Sequence, residues 1–372
     1  MARFVELYSD VETTSQVTGE QAFIKRAVQR ALDRVSGFHH WPFYLEDSFF
    51  STVDDVTAGT VAVTNGSATV TGTSTAFTSA MIGRKFRVGS QNAYYTIAAV
   101  ASGTSLMLDQ NFQGADDTSC TYVIYQDEYR LVADVDAQYF LREIENGFAL
   151  IDLDPGTFDL RFPTPVSFGN PDFSVPIGRR QDIYETGTVA VTAGSRTITG
   201  SGTPAWDGVQ GLSRGNRIRI TDTGEVLTIN TVDSATQLTA YENAVTTDAS
   251  SAYQIFLDNL VVQLYNIPDA ARNIYYRYYR KPTPLVNDYD EPDLPSNMQW
   301  LLIQGALEEA WAHKGDDARR RSAVASFQGG LQQFKKHFTS IPRLYGKKPQ
   351  TALSRRLQPR FSATTDVRAT AP

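Results

Sequence analysis

Asn273-Ile274-Tyr275-Tyr276-Arg277-Tyr278-Tyr279-Arg280 opens the stretch, running on to Phe338, whose reading decides the fold. Tyrosine and isoleucine have the aromatic or branched bulk that suits a pleated strand. Lys281-Pro282-Thr283-Pro284 ends it, because proline offers no N–H to a ladder and biases its predecessor to extended geometry. After an acidic loop, Asn287 to Asp293, the spacing of Ser296 and Gln299 predicts a reciprocal capping box at a helix start. Trp300, Ile303, Ala306/Leu307 and Ala310/Trp311 then recur at three- and four-residue steps, and Gly315 supplies a left-handed stop. A second helix carries Val324, Phe327, Leu331, Phe334 and Phe338 on one stripe. The stretch is a strand, an acidic turn and an antiparallel helix pair.

Beyond it the chain changes character. From Arg343 to the C-terminus there are seven basic residues and one acidic, a charge of +6, so residues 1–342 carry −13 of the net −7. Six of the basic side chains, Arg343, Lys347, Lys348, Arg355, Arg356 and Arg360, are interleaved with Tyr345, Leu353, Leu357 and Phe361. Apolar residues among cations dock into grooves of an acidic protein surface better than onto a phosphate backbone, and the acidic body disfavours general nucleic-acid binding.

Upstream, residues 1–17 read as extended or loosely ordered. Thr18-Gly19-Glu20-Gln21 has the spacing of another capping box, opening a helix with Ile24, Val28, Ala31/Leu32 and Val35 on one face and Gly37 at its close. Trp41 and Phe43 follow as packing residues. From Gly59 the texture turns to Gly, Ser, Thr and Val, and it does so twice. Gly59-Thr-Val-Ala-Val-Thr-Asn-Gly-Ser-Ala-Thr-Val-Thr-Gly72 matches Gly187-Thr-Val-Ala-Val-Thr-Ala-Gly-Ser-Arg-Thr-Ile-Thr-Gly200 nearly residue for residue. Arg84-Lys-Phe-Arg-Val88 answers Asn216-Arg-Ile-Arg-Ile220, and Thr121-Tyr-Val-Ile-Tyr125 answers Ala252-Tyr-Gln-Ile-Phe256. Asn65-Gly66 and Ala193-Gly194 predict two-residue hairpin turns opening each copy. The repeats, 59–126 and 187–257, are expected to be small antiparallel sandwiches or barrels inserted into another fold.

The intervening segment, 127–186, shares nothing with the repeat. It holds Tyr129 and Leu131 as packing residues, bulky runs at 129–134 and 138–144 that are strand-like or short-helical, and strand candidates at 158–162 and 175–178. Taking out both copies leaves about 230 residues. The expected fold class is therefore α+β: a discontinuous core of 1–58, 127–186 and 258–340, carrying two homologous all-β domains and ending in a tail, 341–372.

Candidate chemistry is sparse. Asp134/Asp136, Asp152/Asp154 and Asp288/Asp290/Glu291/Asp293 lie in turn-forming contexts where short acids bond the local backbone. The last run lacks the Gly and Glu an EF-hand loop needs. His39-His40 has no metal-ligand spacing, and Cys120, the single cysteine, has no flanking His to activate it. No nucleophile elbow, phosphate loop or dinucleotide fingerprint is present. No catalytic residue, cofactor or metal is expected. Neither a signal-peptide core at the N-terminus nor an apolar run of membrane-spanning length is found.

The ordered set of the 273–338 stretch, with Gly305-Ala306 near the centre of its first helix, resembles the C-terminal half of tailed-bacteriophage head-to-tail adaptor (connector) proteins. The N-terminal helix followed by Trp41-Pro42-Phe43, and Tyr129, Leu131 and Asp134 after it, are similar to further elements of that family; Val132 departs from its pattern. The resemblance covers the core alone. It implies a structural virion protein of the neck, assembled in the host cytoplasm: a homo-oligomeric ring, usually of twelve copies, that docks on the portal ring through its C-terminal segment. The ring would extend the channel for double-stranded DNA toward tail or nozzle proteins. An acidic body would let DNA slide through without binding. Two rivals stand beside it. A tail fibre or receptor-binding module would use the β repeats and expose shared aromatics, yet Tyr94-Tyr95 has no counterpart in the second copy. A polysaccharide hydrolase would need a facing carboxylate pair.

Overall fold

A computed structural model describes residues 2–89, 91–145 and 147–340, which form a mixed α+β structure. Its helices are α1 (Phe4–Ser15), α2 (Gln21–Phe38), α3 (Pro155–Arg161), α4 (Trp300–Lys314) and α5 (Asp317–Ser340). All but α3 share one apolar core, in which Leu7, Val28, Leu32, Leu302 and Phe327 meet. Gly305 brings α4 against α2: a Cβ there would stand 2.7 Å from the Ala31 Cβ. Gly315, at φ +74°, ends α4 in the left-handed conformation.

Several local expectations are corrected. Residues 4–15 are helical rather than extended, with Phe4, Leu7, Tyr8 and Val11 buried on one face. The first amides of α1 are satisfied from afar: the Phe4 and Val5 N–H groups donate to the carbonyls of Asp290 (2.8 Å) and Asp288 (3.0 Å). The Thr18 box does not form; α2 starts behind Glu20 without a side-chain cap and runs through Gly37 to Phe38. Nor does the Ser296/Gln299 box. Ser296 lies in a 3-10 turn, and the Gln299 Oε1 instead accepts the Ala2 N–H at 2.9 Å. Residues 158–162, expected as a strand, lie in and just beyond α3, whose start is set by Asp154 accepting the Thr157 N–H at 3.0 Å and by Pro155.

Trp41 is fully buried, its indole N–H donating to the Val35 carbonyl at 2.7 Å, with Phe43 and Phe338 against its ring. Leu307, Trp311 and Leu331 are buried, while Phe43, Ile303 and Phe334 pack half-buried at the margin. Trp300 departs from its expected place in the core and is 39% exposed. Leu301 and Leu302 take the inward positions, about 100° further round per residue. Its indole lies over Gly330, where a Cβ would come within 2.6 Å of the ring.

A four-stranded antiparallel sheet runs in the order Leu45–Ser51, Asn273–Arg280, Val135–Glu143, Phe148–Ala149. Its buried side chains Ile274, Tyr276 and Tyr278 meet Tyr129, Leu131, Val262 and Leu264. The buried face of 273–280 therefore packs on other strands. The strand Tyr253–Tyr265 pairs with Phe173–Tyr184 from Tyr265↔Phe173 to Ile255↔Tyr184, with a bulge beside Pro176 that accommodates the missing donor.

The two repeats have the same topology. In the first, strands follow the order 117–120, 60–63, 69–73, 105–108, 95–102, 85–88, 122–125; in the second, 248–251, 188–191, 197–201, 237–240, 226–234, 217–220, 253–265. The two ends of each path are consecutive in sequence, separated only by Thr121 or Ala252. A sheet whose edges are tied by one residue has to curl on itself, and each encloses its own apolar core. The opening hairpins use five-residue loops rather than two, with Gly66 and Gly194 at positive φ. The boundary expected at 257/258 falls inside the continuous strand Tyr253–Tyr265, through which the second repeat shares a ten-stranded sheet with 173–184.

Candidate docking surfaces

The expected docking residues, Arg343, Tyr345, Lys347, Lys348, Leu353, Arg355, Arg356, Leu357, Arg360 and Phe361, lie outside the described residues. The helix that leads to them, α5, forms with α2 an open groove of about 810 Å³, lined by Arg34, Phe38, Glu308, Phe327 and Leu331. Arg34 bonds Glu308 at 2.6 Å and lies 4.4 Å over the Phe327 ring, so the cation is held at the groove wall.

Most of the acidic groups singled out in the sequence are dispersed and already engaged. Asp288 accepts from Lys25 (2.7 Å) and the Tyr8 hydroxyl (3.1 Å). Asp290 accepts the Val286 and Asn287 amides, Asp152 takes the Ser174 hydroxyl, and Asp154 caps α3. Burial pushes Asp293 up, but Arg280, the Thr283 side chain and the Thr283 amide more than offset it and hold the carboxyl below its usual range. These are the bonds of turns and anchors, and they leave no facing acid–base pair among those groups.

What the structure brings together, and the sequence did not flag, is a set of ionic joints between the repeats and the core. In the second repeat, Arg214 bonds Asp134 (2.7 Å) and Glu46 (2.5 Å), with the Tyr278 hydroxyl at 3.0 Å. Burial raises Asp134 above the ordinary carboxylate range despite Arg214; the guanidinium, though half-buried, is held above its own ordinary value by the two acids. Gly215 makes the approach possible: at φ +92° any Cβ would touch the Asp134 backbone at 3.0 Å. In the first repeat Lys85 bonds Asp127 (2.8 Å) and Glu128 (3.1 Å), while Arg180 pairs with Glu128. Burial pushes the Lys85 ammonium down, yet the two carboxylates carry it above its ordinary value. Beside this joint opens a cleft of about 610 Å³ lined by Lys85, Tyr94, Tyr125, Phe158 and Arg180. Lys85 opens a strand aligned between the two copies, whereas Arg214 lies just before the aligned segment, where no motif marks it.

Remaining candidates are structural. His40 stacks on Tyr279 and His39 meets Trp41 edge-on, with burial lowering the His39 pKa. The buried Cys120 thiol donates to the Val61 carbonyl at 3.2 Å, and burial raises its pKa, which keeps it a poor nucleophile. Arg319 lies 4.8 Å over the Trp311 ring and pairs with Asp316. Arg277 pairs with Asp47, and Tyr95 is buried while Tyr94 is exposed. Among the described residues no group of three His, Cys, Asp or Glu could hold a metal ion, and no helix is long and apolar enough to cross a membrane.

No curated protein matches the chain. Residues 176–356, from the long strand pair through the second repeat to the helix pair and the start of the tail, match the family model of the SU10 adaptor protein. That match supports the tailed-phage adaptor family which the 273–338 stretch resembles, and with it a structural role in the virion.

Proposed function

We propose that this protein is a head-to-tail adaptor: a ring component of the phage neck that docks on the portal and continues the DNA channel toward the tail proteins. The observation that carries this reading is the adaptor match over 176–356, which spans the strand, the α4–α5 pair and the beginning of the basic tail. In this reading residues 1–58, 127–186 and 258–340 are the scaffold, and the two β modules are inserts on its outer side. The segment 341–372 seeks acidic clefts of the portal, ordering as it binds. About twelve copies close the ring, and an acidic lumen lets double-stranded DNA pass without adhering.

Removing residues 341–372 and mixing the remaining chain with isolated portal rings tests the docking step. Loss of co-sedimentation, with the circular dichroism of 1–340 unchanged, is the expected result. Attachment as tight as that of the full chain would remove the tail from the mechanism.

A further inference from the structure

The two β modules present the same face to different surroundings. In the first copy, Lys85 and Arg87 point outward from their strand, paired with Tyr125 and Val123 of the neighbouring strand. In the second, Arg217 and Arg219 point outward in the same register, paired with Phe256 and Gln254. The chemistry is thus repeated: two cations in one row and an aromatic ring beside the first.

In the first copy this face is covered by the chain's own extended segment 163–168. Phe168 meets Tyr125 edge-on at 5.5 Å and lies under the Arg87 guanidinium at 5.5 Å, and Val123 and Tyr125 are buried. Asp127 and Glu128 neutralise Lys85. In the second copy no described segment takes that place. Arg217 and Arg219 are exposed and form no ion pair among the described residues, and Phe256 is only half-buried. Beside them Ile183 is 56% and Val226 47% exposed. Arg217, Arg219, Val226 and Phe256 line an open groove of about 340 Å³.

We infer that this uncovered face of the second module docks an extended segment of another protein, one that sets an aromatic side chain against Phe256 and carboxylates against Arg217 and Arg219. The first module shows the ring the face accepts, an aromatic side chain between a guanidinium and a second ring, while its remaining cation is neutralised by Asp127 and Glu128 just beyond its last strand; the unpaired Arg217 and Arg219 call for carboxylates from the occupant itself. Charge rejects the chain's own tail, which is basic. A second copy cannot offer its 163–168 segment without uncovering its own first module, since Phe168 is already packed there against Tyr125 and Arg87. The inference rests on the two modules alone and does not require portal docking.

Fluorescence anisotropy with the full chain tests it, using a labelled peptide whose central Phe is flanked by Asp and Glu. Control peptides replace the Phe by Ala or the acids by Lys. The acidic Phe peptide should bind at least about tenfold tighter than either control, and Arg217→Glu with Arg219→Glu should abolish the difference. The Arg217→Lys/Arg219→Lys variant should retain part of the binding and report that the fold is intact. Equal binding of the three peptides, or binding untouched by the Glu substitutions, would overturn the inference. So would loss of self-association by the Glu variant in sedimentation velocity, which would assign the face to a contact between copies.

Discussion

The first and second β modules share strand order, hairpin and core, yet they are fastened to the molecule by different contacts. The first buries its Lys85/Tyr125 face under 163–168 and ties it to Asp127 and Glu128. The second leaves the matching Arg217/Phe256 face open and is tied instead through Arg214 to Asp134 and Glu46, with its last strand running on into the core. Duplication has kept the interior and changed the exterior. The interior is constrained by closure of a small sheet around apolar side chains, whereas an outward row has only to suit whatever it meets.

Substitutions can break this comparison, and the largest effect should come from the buried cation. Lys85→Ala leaves the buried Asp127 carboxylate without its cation, while Glu128 keeps Arg180, and should cost about 3 kcal/mol, whereas Arg217→Ala should stay within about 0.5 kcal/mol. Because each module encloses its own apolar core, amide hydrogen exchange of peptides from each module is the suitable readout. Equal effects at the two positions would show that the faces do not differ. Phe168→Ala should loosen the first module alone, by about 2 kcal/mol for a half-buried ring.

The shared interior can be sharpened by a matched pair. Gly59 and Gly187 sit at φ +87° and +89°, and a Cβ at either would stand 2.4 Å from the carbonyl oxygen of Thr73 or Ser201. Gly59→Ala and Gly187→Ala should therefore each cost about 2 kcal/mol, by the same route in both copies. A clear inequality would mean the two barrels are strained differently.

The smallest effects are those of pH. Lys85 has a folded pKa above its unfolded one, so its contribution is complete below about 10.4 and fades as pH rises through the higher folded value. Asp293 has a folded pKa below its unfolded one, so its contribution is complete above about 3.9 and fades as pH falls through the lower folded value. Alkali should thus loosen the joint of the first module, and acid the Arg280–Asp293 anchor of the core. Asp293→Asn should flatten the acid limb of a thermal-melt series, and an unchanged limb would remove Asp293 from that account.

Much of this was legible in the chain. The strand at 273–280, the helix pair, the left-handed Gly315 and the duplicated modules all follow from local periodicity and internal identity. What was missed depended on distant partners. Helix α1 has the Phe4-Leu7-Tyr8-Val11 spacing, but Thr13-Thr14-Ser15 weaken its propensity and its first amides are capped by carbonyls nearly the whole chain away. Trp300 looked like a core residue because it begins the apolar run, yet the helix is rotated so that Leu301 and Leu302 face inward. The alignment of Lys85 with Arg217 was visible in sequence. Which of the two is covered was not, because the cover, Phe168, comes from an unrelated segment.

The most direct measurement is electron microscopy of the full chain, purified alone and mixed with isolated portal rings. The account predicts closed rings that stack coaxially on one end of the portal, with the β modules projecting from the outer rim. Protein that remains dispersed in the presence of portal, or binds it without continuing its central channel, would contradict it.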